Sequence, residues 1–82
     1  MTVESATLKI RSVLSQELGY TLEEVVGGAD LLNDLEMDSI DHLDLVNEFE
    51  IIFGIYISQN EAENWTTVQD CINTVLQKLN LD

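Results

Sequence analysis

The chain has 82 residues, 45% of them hydrophobic, and carries three basic against sixteen acidic residues, a formal net charge of −13. This balance disfavours nucleic acid and anionic membrane surfaces as partners, because contacts to phosphate require cations, and favours basic patches on other proteins. The single cysteine excludes an internal disulfide, and no apolar run is long enough for a membrane span. We expect one cytoplasmic, monomeric domain over residues 1–82.

Apolar residues at helical spacing predict three long helices and therefore an all-α fold. The first covers about residues 3–18 and ends at Gly19, a residue suited to terminating a helix. The second runs from about 39 to 53. The last begins after Thr67, which forms a capping-box pattern with the residue three positions on.

A connection of twenty residues with weak periodicity, 19–38, separates the first two long helices. A loop this long in so small a domain is usually functional or held by its own contacts. Residues 58–64 are expected to form one short helical turn. The apolar side chains expected to pin the long loop to the core are those of Leu22, Val25, Val26, Leu31, Leu32 and Leu35.

The second helix carries two apolar faces. The core face consists of Leu45, Val46, Phe49, Ile52 and Phe53, with His42 among them. The opposite stripe consists of Ile40, Leu43, Asn47 and Ile51, flanked by Asp41, Asp44, Glu48 and Glu50. An apolar stripe with an acidic rim predicts a docking surface; the alternative is that Leu43 and Ile51 contact neighbouring core elements. The two interpretations are balanced for Leu43, whereas Ile40 and Ile51 favour docking.

Catalytic and metal chemistry find little support in the residues. A calcium loop starting at Asp34 would need Gly at its sixth and Glu at its twelfth position, where this chain has Ser39 and Leu45, so no metal site is predicted. A nucleophilic Ser39 would need a nearby base, and the only histidine, His42, falls on the core face. Cys71 lies on the apolar stripe of the last helix, which indicates a buried, inert thiol. We expect that the chain is not an enzyme.

Ser39 stands where the second helix begins, beside unpaired N–H groups and the positive end of the helix dipole, which would tolerate a phosphate ester. Two interpretations follow. The serine is an attachment point for a modifying group, or it is a plain N-cap residue, the commoner use of serine at such a position. The long loop before it and the acid-rimmed helix after it favour attachment.

The segment Asp34-Leu35-Glu36-Met37-Asp38-Ser39-Ile40-Asp41 resembles the Asp-Ser-Leu motif of the acyl carrier proteins. The resemblance extends over essentially the whole chain, including residues 53–57, 61–63 and 66–68. It implies a small bundle of three long helices and one short helix, with the long loop between helices 1 and 2. It also implies that a phosphopantetheinyl transferase attaches 4′-phosphopantetheine from coenzyme A to Ser39, next to Asp38.

The same resemblance implies that the thiol of the attached arm carries acyl groups as thioesters between fatty-acid or polyketide-type enzymes. The acid-rimmed helix resembles the family's recognition helix, which meets basic patches on partner enzymes. The residues that would face those partners are Ile40, Asp41, Leu43, Asp44, Asn47, Glu48 and Ile51.

Five positions depart from the family's usual pattern. Glu36 replaces Gly, Ile40 replaces Leu and Ser58 replaces Pro. Asn47 stands where the family often has Met, and Ile51 stands where it often has an acid. The apolar contact is thus displaced along the helix by about one turn. Together the five departures leave the partner set open, and they point towards a specialised carrier without deciding against the housekeeping carrier of fatty-acid synthesis.

Two alternative functions remain open at the level of sequence. A peptidyl or aminoacyl carrier would share the fold but usually has a less acidic motif with Gly before the serine. A non-catalytic acidic interaction module, for example a helical mimic of nucleic acid, would use the same charge and give Ser39 no special role.

Overall fold

The computed structural model, which describes residues 1–81, folds into four α-helices and confirms the predicted all-α fold of three long helices and one short helix. They are α1 (Val3–Leu18), α2 (Ser39–Phe53), α3 (Gln59–Glu63) and α4 (Val68–Lys78). The described residues contain no strand ladder, only an isolated antiparallel bridge between Asp30 and Thr67. None of these helices has both the length and the apolar character needed to cross a membrane.

Each helix begins at a polar residue whose side chain accepts the backbone N–H three positions further on, which satisfies one donor of the open first turn. These residues are Thr2, Asp38, Ser58 and Thr67, and all four form capping boxes. Both α1 and α2 end at a glycine in the left-handed region, Gly19 (φ 77°) and Gly54 (φ 65°), where a residue without a Cβ is least strained.

The start of α2 corrects one interpretation drawn from the sequence. Its N-cap is Asp38, and Ser39 is the first helical residue, so the plain N-cap interpretation of Ser39 is wrong. Aspartate and serine are about equally good caps, and here the aspartate lies one residue earlier, where its carboxylate reaches the N–H of Asp41. The predicted capping box at Thr67 is confirmed, with Asp70 as its second member.

The core lies where α1 packs against both α2 and α4. Its fully buried side chains include Ile10, Leu14, Leu45, Phe49, Val68, Cys71 and Val75. Cys71 is buried as predicted, and burial raises the pKa of its thiol. Because the thiolate is the reactive form, this cysteine is a packing residue.

Half of the residues expected to pin the long loop do so. Val25, Leu31 and Leu35 are buried, whereas Leu22, Val26 and Leu32 are exposed. The prediction fails for the exposed three because the loop consists of successive turns, in which neighbouring side chains point in different directions.

Polar contacts complete the attachment of the loop. Arg11 of α1 donates from Nε to the Val25 carbonyl (2.8 Å) and from Nη2 to the Leu22 carbonyl (2.7 Å). At the start of α4, the Val68 N–H donates to the Ala29 carbonyl (3.0 Å), and the Gln69 N–H donates to that of Gly27 (2.9 Å). The loop therefore accepts two of the open N–H groups at the start of α4, and these bonds tie residues 27–29 to that helix.

Candidate cofactor attachment site

Ser39 presents a free hydroxyl at the start of α2. The capping box is made by its neighbours: Asp38 Oδ1 accepts the Asp41 N–H (2.8 Å), and Asp41 Oδ2 accepts the Asp38 N–H (3.3 Å). Ser39 is exposed, and its hydroxyl makes no hydrogen bond to any residue between 1 and 81. The backbone N–H groups of Ser39 and Ile40 are also unpaired within that range. A nucleophilic oxygen and two donors suited to an anion thus lie together.

Most of the acids around Ser39 are occupied by the fold. Asp30 Oδ1 accepts the N–H groups of Leu32 (3.0 Å) and Asn33 (2.8 Å), and Asp34 Oδ2 accepts the N–H of Asp30 (2.8 Å). Six of the eight acids from 30 to 50 accept hydrogen bonds within the fold. Glu36 accepts one from the Tyr20 hydroxyl, and the other five accept backbone N–H groups, namely Asp30, Asp34, Asp38, Asp41 and Glu50. Only Asp44 and Glu48 make none within residues 1–81. No group of three or more potential ligands in this range is arranged to hold a metal ion.

Glu36 has an unusual backbone conformation for a residue with a side chain. Its φ is 54°, in the left-handed region, which costs an L-residue about 1–2 kcal/mol. Its carboxylate accepts a hydrogen bond from the Tyr20 hydroxyl (2.8 Å), and this bond raises the pKa of Tyr20. Tyr20 and Glu36 lie at opposite ends of the long loop, and their hydrogen bond joins these ends. With Glu36 in place of the family's Gly, a strained backbone and this bond both lie just before Ser39.

His42 faces inward, as the helical spacing predicts. It is half-buried, and its Nε2 lies 3.0 Å from the Ala62 carbonyl oxygen at the end of α3. Because a carbonyl can only accept, Nε2 carries the proton in this bond. The ring also packs edge-on against Trp65, with centroids 5.7 Å apart. His42 therefore connects α2 to α3.

Two cavities open beside Ser39. The loop cavity, about 470 Å³, is lined by Asp30, Leu31, Leu32, Asn33, Met37, Asp38, Ser39, His42, Glu63, Trp65 and Thr66. The helix cavity, about 460 Å³, is lined by Ser39, His42, Leu43, Val46, Ile57, Ser58, Gln59, Ala62 and Glu63. Both volumes fall in the range of small-molecule sites. Sequence reasoning did not place Glu63 or Trp65 at this site, because they are more than twenty residues away and only folding brings them near.

The outer stripe of α2 is free of core contacts. Ile40, Leu43 and Ile51 are 70%, 66% and 77% exposed, so the alternative that Leu43 and Ile51 pack on neighbouring elements is wrong. Asn47 and Asp44 are exposed as well, while Asp41 and Glu48 are half-buried. The structure therefore leaves three exposed apolar side chains on the outer face of α2, with Asn47 between Leu43 and Ile51, beside the two unbonded acids.

A helical bundle has the features of a carrier domain when it combines a serine hydroxyl that no base within residues 1–81 hydrogen-bonds with two adjoining cavities. The sequence model described as the phosphopantetheine attachment site matches residues 8–75. The acyl carrier protein of Cyanidium caldarium is 34% identical over 80 residues, which cover 98% of this chain and 93% of that protein. That of Thermotoga maritima is 37% identical over 71 residues, covering 87% and 88%.

A solved structure of the acyl carrier protein from Enterococcus faecalis has the same fold. It superposes with a TM-score of 0.81 at 28% identity, covering 95% of this chain and 99% of that one. The chain therefore belongs to the acyl carrier protein family. The predictions of a non-catalytic carrier and of 4′-phosphopantetheine as the family's covalent cofactor are confirmed.

Proposed function

We propose that this protein carries acyl intermediates as thioesters on a 4′-phosphopantetheine arm attached to Ser39, moving them between fatty-acid or polyketide-type enzymes. The observation that carries the proposal is the free Ser39 hydroxyl. Asp38 performs the capping that usually occupies such a serine, so the oxygen is available to another enzyme.

The residues at the site fit a phosphodiester. During attachment, the Ser39 oxygen would form a bond to phosphorus of coenzyme A as the diphosphate link breaks, with adenosine 3′,5′-bisphosphate leaving and the hydroxyl proton passing to the transferase. The unpaired N–H groups of Ser39 and Ile40 are positioned to favour the resulting negative charge. The attached arm supplies the thiol that the chain itself lacks in reactive form, since Cys71 is buried.

The helix cavity suits the apolar part of an acyl cargo. Leu43, Val46, Ile57 and Ala62 contribute apolar surface beside Ser39. Each methylene removed from water there would contribute about 0.8 kcal/mol. A sheltered chain would be protected from hydrolysis of its thioester while the protein moves between enzymes.

Partner enzymes would dock on the outer stripe of α2. Asp44 and Glu48 are the acids there without intramolecular hydrogen bonds, so they can pair with basic residues at no cost to the fold. Such rim charges raise association rates more than affinity. The exposed Ile51 extends the apolar contact towards the end of the helix, which favours a partner set different from that of a housekeeping carrier.

Mass spectrometry tests the attachment. Incubation with coenzyme A and a broad-specificity phosphopantetheinyl transferase should add the mass of one arm to the wild type and nothing to Ser39→Ala. Ser58→Ala is the matched control, because Ser58 also begins a helix but uses its hydroxyl as the N-cap, and this variant should still gain the arm. A wild type that stays unmodified with several transferases would favour the acidic interaction module.

Transferase kinetics test the docking surface. Asp44→Asn and Glu48→Gln should each lower kcat/KM several-fold at low salt, with a smaller effect at high salt, because electrostatic steering is screened. Glu23→Gln, which removes one charge from an exposed acid of the long loop, is the control. Equal effects of all three variants would show that only net charge matters and would refute this surface.

A further inference from the structure

The loop cavity and the helix cavity meet at one place. Ser39, His42 and Glu63 line both of them. An arm attached to Ser39 therefore starts at the mouth of two spaces, and some feature of the protein must determine which one its cargo enters.

Among these shared residues, His42 is the side chain held in a fixed orientation. Its Nε2 donates to the Ala62 carbonyl (3.0 Å), and its ring packs edge-on against Trp65. Trp65 is fixed in turn, because its Nε1 donates to Thr74 Oγ1 (2.9 Å) and its ring packs against Phe49 at 6.0 Å. Glu63 is exposed and makes no side-chain hydrogen bond within residues 1–81.

The two cavities differ in chemistry. The loop cavity includes the polar side chains of Asp30, Asn33 and Asp38 as well as apolar ones. Carboxylates in that wall would have to lose hydration if an alkyl chain lay against them, which is unfavourable. The helix cavity has one carboxylate in its wall, Glu63, which the two cavities share, and lacks the two aspartates of the loop cavity. An apolar chain therefore displaces less water from charged groups when it enters the helix cavity.

We propose that the His42 ring is the wall between the two cavities and determines the length of acyl chain that the protein can shelter. This inference rests on the proposed carrier function. With the ring in place, a growing chain fills the helix cavity and then projects into solvent. Without the ring, the chain continues into the loop cavity.

The experiment uses holo protein, loaded with saturated acyl groups from butyryl to myristoyl. The rise in Tm over the unloaded holo form is measured for each chain. In the wild type the rise should level off partway along the series. In His42→Ala it should level off at least one member later. His42→Phe keeps a ring without the hydrogen bond and should level off where the wild type does. Glu63→Ala is the control, because Glu63 also lines both cavities, and it should level off at the wild-type position as well.

Methyl chemical shifts locate the chain directly. In the wild type, cargo should perturb Val46 and Ile57 and leave Leu31 unchanged; in His42→Ala, long chains should perturb Leu31 as well. An unchanged levelling point in His42→Ala, or a His42→Phe variant that behaves like His42→Ala, would overturn the proposal. Failure of the arm to attach is visible beforehand as a missing mass gain, so it tests the carrier function separately.

Discussion

Arg11 is the residue whose replacement should most clearly show what holds the long loop. The chain has only three Lys and Arg residues, and this one is directed at the loop rather than at an acid. Its guanidinium donates to two backbone carbonyls, those of Val25 and Leu22, at 2.8 Å and 2.7 Å. Val25 is fully buried, so the first of these bonds joins α1 to the part of the loop that enters the core.

Arg11→Gln should remove both bonds. A hydrogen bond from a charged donor is worth about 1.5–3 kcal/mol. The half-buried bond to Val25 should contribute most of that amount, whereas the exposed bond to Leu22 should contribute little because water replaces it. We expect a loss of about 2 kcal/mol in the free energy of unfolding, which in a domain of this size lowers Tm by about 8–16 °C. Urea denaturation and thermal melts measure it.

Lys9→Gln is the matched control. Lys9 is an exposed neighbour in α1, and it makes no ion pair or side-chain hydrogen bond within residues 1–81. Because each variant replaces one cation with a neutral glutamine, both change the net charge equally. An exposed substitution of this kind should change stability by about 0.5 kcal/mol or less. If Arg11→Gln loses no more stability than Lys9→Gln, the loop is held by its apolar contacts alone and the argument is refuted. Faster amide exchange across the loop in Arg11→Gln only would support it.

Three further predictions concern single residues. Glu36→Gly and Glu36→Ala both lose the hydrogen bond from Tyr20. Because glycine adopts the φ of 54° without strain, the Gly variant should be more stable than the Ala variant by about 1 kcal/mol. Equal stabilities of the two variants would contradict this. Hydrogen bonds from Lys78 and the start of α3 lower the pKa of Glu61 from 4.5 to about 2. Ionised Glu61 therefore stabilises the fold fully above pH 4.5, its unfolded pKa, and this stabilisation is lost as the pH falls from 4.5 to 2. In Glu61→Gln, the free energy of unfolding should depend less steeply on pH over that interval. Burial raises the pKa of the Cys71 thiol, so it should resist alkylation until the protein unfolds; rapid native labelling would disprove this.

The sequence was most informative where interactions are local. The bounds of α2 follow from apolar spacing, and the end of α1 follows from Gly19, because helix caps and periodicity involve residues within about four positions of each other. The exposure of Ile40 and Ile51 followed from the same geometry. The family motif supplied Ser39, and nothing beyond a local pattern was needed to find it.

Local reasoning failed where two neighbours could play the same part. Asp38 and Ser39 are both good N-cap residues, and only the path of the loop into α2 decides between them. Local reasoning also could not separate the acids from 30 to 50 that the fold uses from those that stay free. The sequence suggested a surface for partners, but most of these carboxylates accept hydrogen bonds within the fold, which leaves Asp44 and Glu48.

The sequence by itself determined the helices, the family and the serine, because helical periodicity, caps and the Asp38-Ser39 motif are patterns among residues close together in the chain. Only the tertiary structure decided the surroundings of that serine. The contacts of His42 with Ala62, twenty residues away, and of Arg11 with Val25, fourteen residues away, form when helices pack. The two cavities beside Ser39 exist because α2, α3 and the loop converge there, and no periodicity along the chain encodes that convergence.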